Sequence, residues 1–174
     1  TKEFIKRNGE FTVNLAYVKD GCPEAGVIYI PVKKELYFAD TTLGAYKINE
    51  ITETGSCTSL DALIAHAQRL PNAHRTDDTF IVVASRSHLT PETEAYIHEM
   101  QQKHAQVETI SKGSSLKLCL IAEGNADVYP RFAPTMEWDT AAGHAIIRAS
   151  GKEVYQARKK ERLQYNKTAL LNPW

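Results

Sequence analysis

The stretch PNAHRTDDTFIVVASRSH, residues 71–88, divides the chain into two parts whose sequence patterns differ. Its first half is polar and rich in turn-forming residues, whereas its second half contains the apolar run FIVVA. A short, continuously apolar run is typical of a strand that is buried on both faces. We therefore place a boundary within residues 71–78 and treat residues 1–75 and 76–174 as two domains.

The residues before the boundary predict an antiparallel meander. The segments FTVNLAYV and EAGVIYIPV are rich in β-branched and aromatic residues, and the Asp20-Gly21 pair between them is a hairpin signal. KELYFAD and GAYKI predict two further short strands. We expect the meander to extend from about Phe11 to Ile48.

Four segments carry the apolar spacing or the end signals of helices. SLDALIAHAQRL has Ser59 as its N-cap, and TPETEAYIHEMQQKHA has Thr90 as N-cap and Pro91 at its first helical position. SSLKLCLIAEGN ends near Gly124, and WDTAAGHAIIRASG ends before Gly151. The segments TFIVVASRSH, QVETIS and ADVYPRF are the strands that alternate with the last three helices. This alternation predicts a three-layer α/β unit after the meander.

Composition and charge exclude several classes of function. The 174 residues carry 21 Lys and Arg and 21 Asp and Glu, so the formal net charge is zero. A protein that binds a nucleic-acid polymer usually has a basic surplus, and we interpret the basic cluster RKKER as a solvated face. Three cysteines without a CxxC pair argue against a disulfide framework or a zinc site. With no apolar run long enough to span a membrane, we expect a cytoplasmic protein.

Polar residues that follow strands in the second part are candidates for a binding site. In an open α/β sheet, ligands bind where strands end and helices begin. SRSH presents Ser87 and His88 at such a place, although this histidine can also be an ordinary surface residue. YPRF presents Arg131 beside Pro130, and the guanidinium could bind a phosphate or form a surface ion pair.

The segment KGSSLK is a candidate anion site at a helix start. Gly113 lets the backbone approach a ligand closely, and Ser114 and Ser115 add hydroxyls to the free N–H groups of the helix. Lys117 adds a positive charge in the first turn, where a cation does not stabilise a helix. The alternative is a simple serine N-cap followed by an exposed lysine.

The segment EWDTAAGHAI, residues 137–146, places Asp139 at the start of the last helix. Its carboxylate could cap the free N–H groups of that helix. It could instead hold Mg²⁺, which proteins bind through one or two carboxylates together with substrate phosphate oxygens. The residues alone leave both interpretations open.

Together these segments resemble the Mg²⁺-dependent, lithium-sensitive phosphatase superfamily that contains the inositol monophosphatases. WDTAAGHA resembles its second metal motif. More specifically, the opening TKEFIKRNGEFTVNLA and then SRSH, GSSLK, AEGNADVYPRF and LLNPW resemble bacterial 3'(2'),5'-bisphosphate nucleotidases. The resemblance covers nearly the whole chain, corresponds to the C-terminal two-thirds of these enzymes, and implies their layered α+β sandwich of the sugar-phosphatase type.

The resemblance also implies a role for each candidate residue. Thr1 would orient the attacking water, and Asp139 would bind Mg²⁺ as the cofactor. The substrate would be held by His88, Gly113, Ser114, Ser115, Lys117 and Arg131. The reaction would remove the 3'-phosphate of adenosine 3',5'-bisphosphate, a small-molecule nucleotide of sulfate assimilation, and give AMP and phosphate.

Several parts of the family pattern do not occur in this sequence. They are a glutamate, the two aspartates of the D-P-L-D-G motif, and two N-terminal helices that cover one face of the meander. Under the resemblance, residues 1–75 are the remainder of the metal-binding domain and residues 76–174 are the substrate-binding domain. A lone carboxylate is a poor Mg²⁺ site, so we expect no activity from this chain alone. We also expect oligomers through the uncovered meander face; membrane association of the parent protein is not readable from the residues.

Two other functions stay open. An inositol or sugar monophosphatase would share the superfamily, but Lys117 and Arg131 favour a substrate with two phosphates. A non-catalytic nucleotide-binding module would need only the binding residues and no metal carboxylates.

Overall fold

A five-stranded antiparallel meander forms the first part of the chain. The computed structural model describes residues 2–5, 7–51, 59–85, 89–157 and 159–173. The strands follow one another in the sheet as β1 (Val13–Lys19), β2 (Cys22–Ile30), β3 (Glu35–Asp40), β4 (Gly44–Ile48) and β5 (Gln68–Leu70). Asp20 and Gly21 have positive φ angles of 50° and 76°, as a two-residue hairpin loop requires. The predicted meander is therefore confirmed and is extended by one strand.

The second part begins with the alternation of strands and helices that its sequence predicts. The strands β6 (Phe80–Ser85) and β7 (Val107–Lys112) pair in parallel. The helices of this part are α3 (Pro91–Lys103), α4 (Leu116–Glu123) and α5 (Glu137–Ala149), whereas α1 (Lys2–Ile5) and α2 (Leu60–Ala65) belong to the first part. None of the helices in the described ranges combines the length and the apolar character that crossing a bilayer needs.

A hydrophobic cluster joins the two parts. It contains Ile28 and Ile30 of β2, Val83 of β6, Leu118 of α4 and Ile146 of α5. Helix α5 contacts β1 to β4 on one side and α4 on the other, so it is the centre of the layered arrangement. The division into residues 1–75 and 76–174 stays a prediction, and the two parts share this core.

The helix predicted for SLDALIAHAQRL is shorter than expected. Ser59 is its N-cap as predicted, since the hydroxyl accepts a hydrogen bond from the Ala62 N–H at 3.1 Å. The helix ends at Ala65, and the last residues of the segment form β5, which pairs with β4 and places Leu70 opposite Ala45. Leu70 is 3% exposed. Burial of Leu70 and the backbone pairing with β4 stabilise a strand here more than the apolar spacing of the segment stabilises a helix, because local helix propensity is a weak preference.

The strand predicted for ADVYPRF is reduced to a single bridge. Val128 pairs in parallel with Val82, and no longer strand forms in this part of the described chain. Just before the bridge, the Asp127 carboxylate accepts a hydrogen bond from the Ile81 N–H of β6 at 2.7 Å. In a regular strand pair, a backbone carbonyl would accept this hydrogen bond. Pro130 follows and has no N–H to extend the ladder. The chain therefore leaves the sheet at once.

One face of the edge strand β1 is apolar and exposed. Val13, Leu15 and Tyr17 alternate along it and are 50%, 65% and 61% exposed. Apolar patches of this kind are common at protein–protein contacts. The oligomer expected from the sequence stays a prediction, and this face is where it would form.

We expect Gly26→Ala to destabilise the fold, because β2 and α5 are in direct contact at this position. A Cβ added to Gly26 would lie 2.4 Å from the Ala142 carbonyl oxygen and 2.9 Å from the Ala145 Cβ. Helix backbone cannot rotate aside as a side chain can, so the free energy of unfolding should fall by about 2–3 kcal/mol. Urea unfolding followed by circular dichroism measures this change.

Gly151→Ala is the control for Gly26→Ala. Gly151 has a φ of 87°, and an added Cβ would meet nothing within 4 Å. Only backbone strain opposes this substitution, so its effect should be about 1 kcal/mol. Equal losses in the two variants would contradict the packing argument.

Candidate functional site

A cavity of about 690 Å³ opens between the start of β1, the start of α4 and the start of α5. The loop that follows Val128 supplies the remaining wall. The structure brings six of the predicted site residues into this wall, namely Gly113, Ser114, Ser115, Lys117, Arg131 and Asp139. The predicted residues Thr1, Ser87 and His88 lie outside the described residues.

The turn before α4 forms the polar floor of the cavity. Ser114 adopts a left-handed conformation with a φ of 49°, and Ser115 is the N-cap position of α4. The Ser115 hydroxyl makes no capping hydrogen bond with its own helix. The Gly113 N–H donates to the buried Glu10 carboxylate at 2.7 Å, which ties the turn to the segment before β1. The hydroxyls of this turn therefore face groups outside the helix.

Lys117 is buried, so the alternative of an exposed lysine is wrong. Its side chain is on the first turn of α4, and the residue is 5% exposed. The ammonium donates to the Ser114 carbonyl at 2.8 Å and to the Lys112 carbonyl at 3.4 Å, and it lies 5.2 Å from the centre of the Tyr129 ring. These contacts hold a cation at the helix start, where it adds positive potential to the cavity wall.

The start of β1 braces this turn, and sequence reasoning missed it. The Thr12 and Ser114 hydroxyls lie 2.8 Å apart, and the Asn14 Nδ2 donates to the Ser115 hydroxyl at 2.9 Å. Thr12 and Asn14 are two residues apart, so they lie on the same face of the strand. Two polar residues at alternate positions of an otherwise apolar strand were the available signal.

Arg131 contributes a guanidinium to the cavity wall from the loop that follows Val128. Its Nη2 donates to the Pro134 carbonyl at 3.4 Å, and its buried Nε has no hydrogen-bond partner among the described residues. The alternative of a surface ion pair finds no support, since Arg131 pairs with no described carboxylate. Next to it, burial raises the pKa of Tyr129 to about 12, so this phenol stays neutral near neutral pH.

Asp139 lies in the third position of α5, not at the N-cap. Met136 is the N-cap, and the Asp139 carboxylate accepts a hydrogen bond from the Met136 N–H at 2.9 Å. Asp139 therefore does cap the start of α5, but it does so from the third helical position and not from the N-cap position. Asp139 is exposed and lines the cavity, so its carboxylate remains accessible to a ligand.

A second polar cluster, which reaches the cavity wall at Glu153, holds α5 against the chain that follows it. His144 is 1% exposed, and its two ring nitrogens lie 2.5 Å from Glu153 and 3.0 Å from the Tyr165 hydroxyl. Burial lowers the pKa of His144 even though Glu153 acts in the opposite direction. The Arg162 guanidinium lies 2.9 Å from the same carboxylate. We interpret this cluster as structural support for the α5 side of the cavity.

Comparison with known proteins identifies the family. A family model described as the inositol monophosphatase family matches residues 1–173. The chain belongs to the inositol monophosphatase family. The resemblance drawn from the sequence motifs is confirmed by this match.

Two curated members of the inositol monophosphatase family are similar to nearly the whole chain. The 3'(2'),5'-bisphosphate nucleotidase CysQ of Salmonella typhimurium is 42% identical over 173 residues, which are 99% of this chain and 62% of that protein. CysQ of Escherichia coli K12 is 41% identical with the same coverage. The chain spans about 62% of the length of these relatives.

Solved structures of other proteins have the same fold. The crystal structure of CysQ from Bacteroides thetaiotaomicron is 64% identical, with a TM-score of 0.95 over 99% of this chain and 64% of that one. SuhB of Mycobacterium tuberculosis is 21% identical, with a TM-score of 0.66 over 90% of this chain and 58% of that one. The second likeness concerns the fold alone. The predicted layered α/β class is confirmed.

Proposed function

We propose that the protein containing this chain is a 3'(2'),5'-bisphosphate nucleotidase that converts adenosine 3',5'-bisphosphate to AMP and phosphate. The observation that carries the proposal is the buried Arg131 Nε, a donor without a partner among the described residues, in the same cavity wall as Ser114 and Lys117. A buried cationic donor is stabilised by an anionic oxygen such as that of a phosphate. The identity to the CysQ nucleotidases supports the same substrate class.

Two separate cationic positions support a substrate with two phosphates. The first is the start of α4, where the positive end of the helix dipole and the buried Lys117 ammonium favour an anion. The second is the Arg131 guanidinium, which comes from a different segment of the cavity wall. A simple sugar monophosphate would need only one of them.

A divalent metal ion is part of the proposal. Enzymes of the inositol monophosphatase family generally use one, and we propose Mg²⁺ for this protein. Asp139 fits a single ligand position, because it is an exposed hard-oxygen donor in the cavity wall. Among the described residues, no group of three His, Cys, Asp or Glu side chains could hold a metal ion. Bound Mg²⁺ lowers the pKa of a water and stabilises negative charge on phosphoryl oxygens.

We also propose a cytoplasmic location. Cys22 and Cys119 are free thiols in the described part of the chain, which fits a reducing compartment. The role in sulfate assimilation that the sequence resemblance implies rests on the proposed substrate.

The test is phosphate release by the full-length protein with Mg²⁺, from adenosine 3',5'-bisphosphate and from inositol 1-phosphate. We expect faster release from the bisphosphate. Equal or faster release from inositol 1-phosphate would favour the monophosphatase alternative. The 174-residue chain alone is expected to show no turnover in the same assay, and turnover of about 1 per second or faster would contradict that expectation.

Arg131→Ala should weaken the bisphosphate far more than a monophosphate. The substitution removes one charge-assisted contact, so we expect kcat/KM for adenosine 3',5'-bisphosphate to fall about 10- to 100-fold. The value for inositol 1-phosphate, if it is measurable, should change by less than about threefold. Steady-state kinetics on both substrates measure the two ratios.

Lys117→Met is the comparison for Arg131→Ala. The Lys117 ammonium also holds the Ser114 carbonyl, so its loss should disturb the turn and weaken both substrates. Equal losses on both substrates in Arg131→Ala would point to a structural role for Arg131 as well, and would remove the main support for the substrate.

A further inference from the structure

Asn14 places an unsatisfied hydrogen-bond acceptor in the cavity wall. Its Nδ2 donates to the Ser115 hydroxyl at 2.9 Å, so the amide is held against the start of α4. Its Oδ1 is buried and has no hydrogen-bond partner in the described part of the chain. Buried acceptors in folded proteins are almost always paired, so this oxygen marks a position where a donor group is expected.

The Asn14 oxygen can only accept a hydrogen bond, whereas the Arg131 Nε can only donate one. Both are buried, both lack a partner among the residues that the structure describes, and both residues line the same cavity. The Arg131 donor selects an anionic oxygen. The Asn14 oxygen selects an N–H or O–H group, and an ionised phosphate has only acceptor oxygens to offer. A phosphate can therefore satisfy Arg131 and cannot satisfy Asn14.

We propose that Asn14 is a substrate-binding residue that accepts a hydrogen bond from the nucleoside part of the substrate. The inference rests on the proposed function, since it takes the substrate to be an adenine nucleotide. The donor is either the ribose 2'-hydroxyl or the amino group of the base, because the ribose 3'-oxygen carries the scissile phosphate. Asn14 then distinguishes a nucleotide from an anion that has no donor to offer, such as inorganic phosphate in its fully ionised form.

The experiment is a calorimetric titration of the full-length protein with AMP, 2'-deoxy-AMP and inosine monophosphate. One analogue lacks the ribose hydroxyl, and the other carries an oxo group where AMP carries its amino group. We expect one of them to bind about three- to tenfold more weakly than AMP, which is the effect of one net hydrogen bond. The weaker analogue identifies the donor. In Asn14→Leu this difference should disappear.

Two further variants separate recognition from structural support. Thr12→Val removes the neighbouring contact to Ser114 and leaves the Asn14 oxygen in place, so AMP and both analogues should weaken together and their ratio should persist. Asn14→Asp keeps an acceptor of the same shape, so it should also retain the ratio even where it weakens anion binding.

Each outcome decides the matter. The inference is overturned if neither analogue differs from AMP in the unaltered protein, or if the difference survives in Asn14→Leu. A protein that binds AMP but shows either result keeps its proposed function and loses only the role of Asn14. A protein that releases no phosphate from adenosine 3',5'-bisphosphate loses both.

Discussion

Asp139→Asn is expected to lower the phosphatase activity of the full-length protein about a thousandfold and to leave its folding nearly unchanged. Asparagine keeps an oxygen that can accept the hydrogen bond from the Met136 N–H, so the start of α5 stays capped. The negative charge is lost, and a neutral amide is a much weaker Mg²⁺ ligand than a carboxylate. A loss of about 4 kcal/mol in metal-assisted chemistry corresponds to this factor.

Asp139→Ala completes the comparison, because it removes the cap together with the charge. The two variants should be equally inactive, but only the alanine variant should unfold at a clearly lower temperature. The measurements are phosphate release, the Mg²⁺ concentration at half-maximal rate, and thermal unfolding. If Asp139→Asn keeps full activity, Asp139 is only a capping residue and its assignment to the metal fails.

The elements that the sequence predicted correctly depend on neighbours along the chain. At the start of α3, the Thr90 hydroxyl accepts a hydrogen bond from the Thr93 N–H at 3.3 Å, and Pro91 follows it. At the end of α4, Gly124 has a φ of 83°. These contacts span only a few residues, so residue type and spacing are enough to predict them.

The elements that the sequence predicted wrongly depend on pairing with strands that are distant along the chain. The register of β5 places Leu70 opposite Ala45, which comes from a strand more than twenty residues earlier. Val128 forms one bridge because Asp127 and Pro130 on either side of it remove ladder positions. A local pattern contains no information about such partners, so it gave too long a helix in one case and too long a strand in the other.

The same distinction applies to the candidate site. Ser114, Lys117 and Arg131 could be singled out because each follows a strand or starts a helix. The bracing residues Thr12 and Asn14 gave only the weaker signal of two polar residues in an apolar strand, since their partners lie about a hundred residues further along the chain. The burial of Lys117 also depends on segments that pack over the turn. The sequence therefore predicted the groups that face the cavity better than those that hold them in place.

A buried polar cluster between the meander and α4 is expected to contribute strongly to the free energy of unfolding. The Glu123 carboxylate accepts hydrogen bonds from the Lys47 ammonium at 2.7 Å and from the Tyr37 hydroxyl at 2.6 Å. Its side chain is 5% exposed, and that of Lys47 is 15% exposed. Burial opposes ionisation, but the hydrogen bonds from Lys47 and Tyr37 outweigh it and lower the pKa of Glu123 below its usual value.

Lys47→Met should therefore lower the free energy of unfolding by about 3–5 kcal/mol near neutral pH, because it leaves a buried carboxylate without its cation. The lowered pKa of Glu123 means that the pair stabilises the unaltered protein above the unfolded-state pKa of glutamate. This stabilisation is lost as the pH falls through the folded-state pKa. In the variant, burial without a cation should raise the pKa of Glu123, so mild acid protonates the group and reduces the deficit.

Urea unfolding at about pH 7 and about pH 5 measures both effects, since a raised pKa of Glu123 in the variant makes the deficit smaller at the lower pH. Adding Glu123→Gln to Lys47→Met should recover part of the loss, because glutamine is neutral and still accepts the Tyr37 hydroxyl. Lys103→Met breaks the exposed pair with Glu99 and should change the free energy of unfolding very little. A deficit that is equal at both pH values, or one that Lys103→Met reproduces, would mean that the Lys47–Glu123 contact is not what joins α4 to the meander.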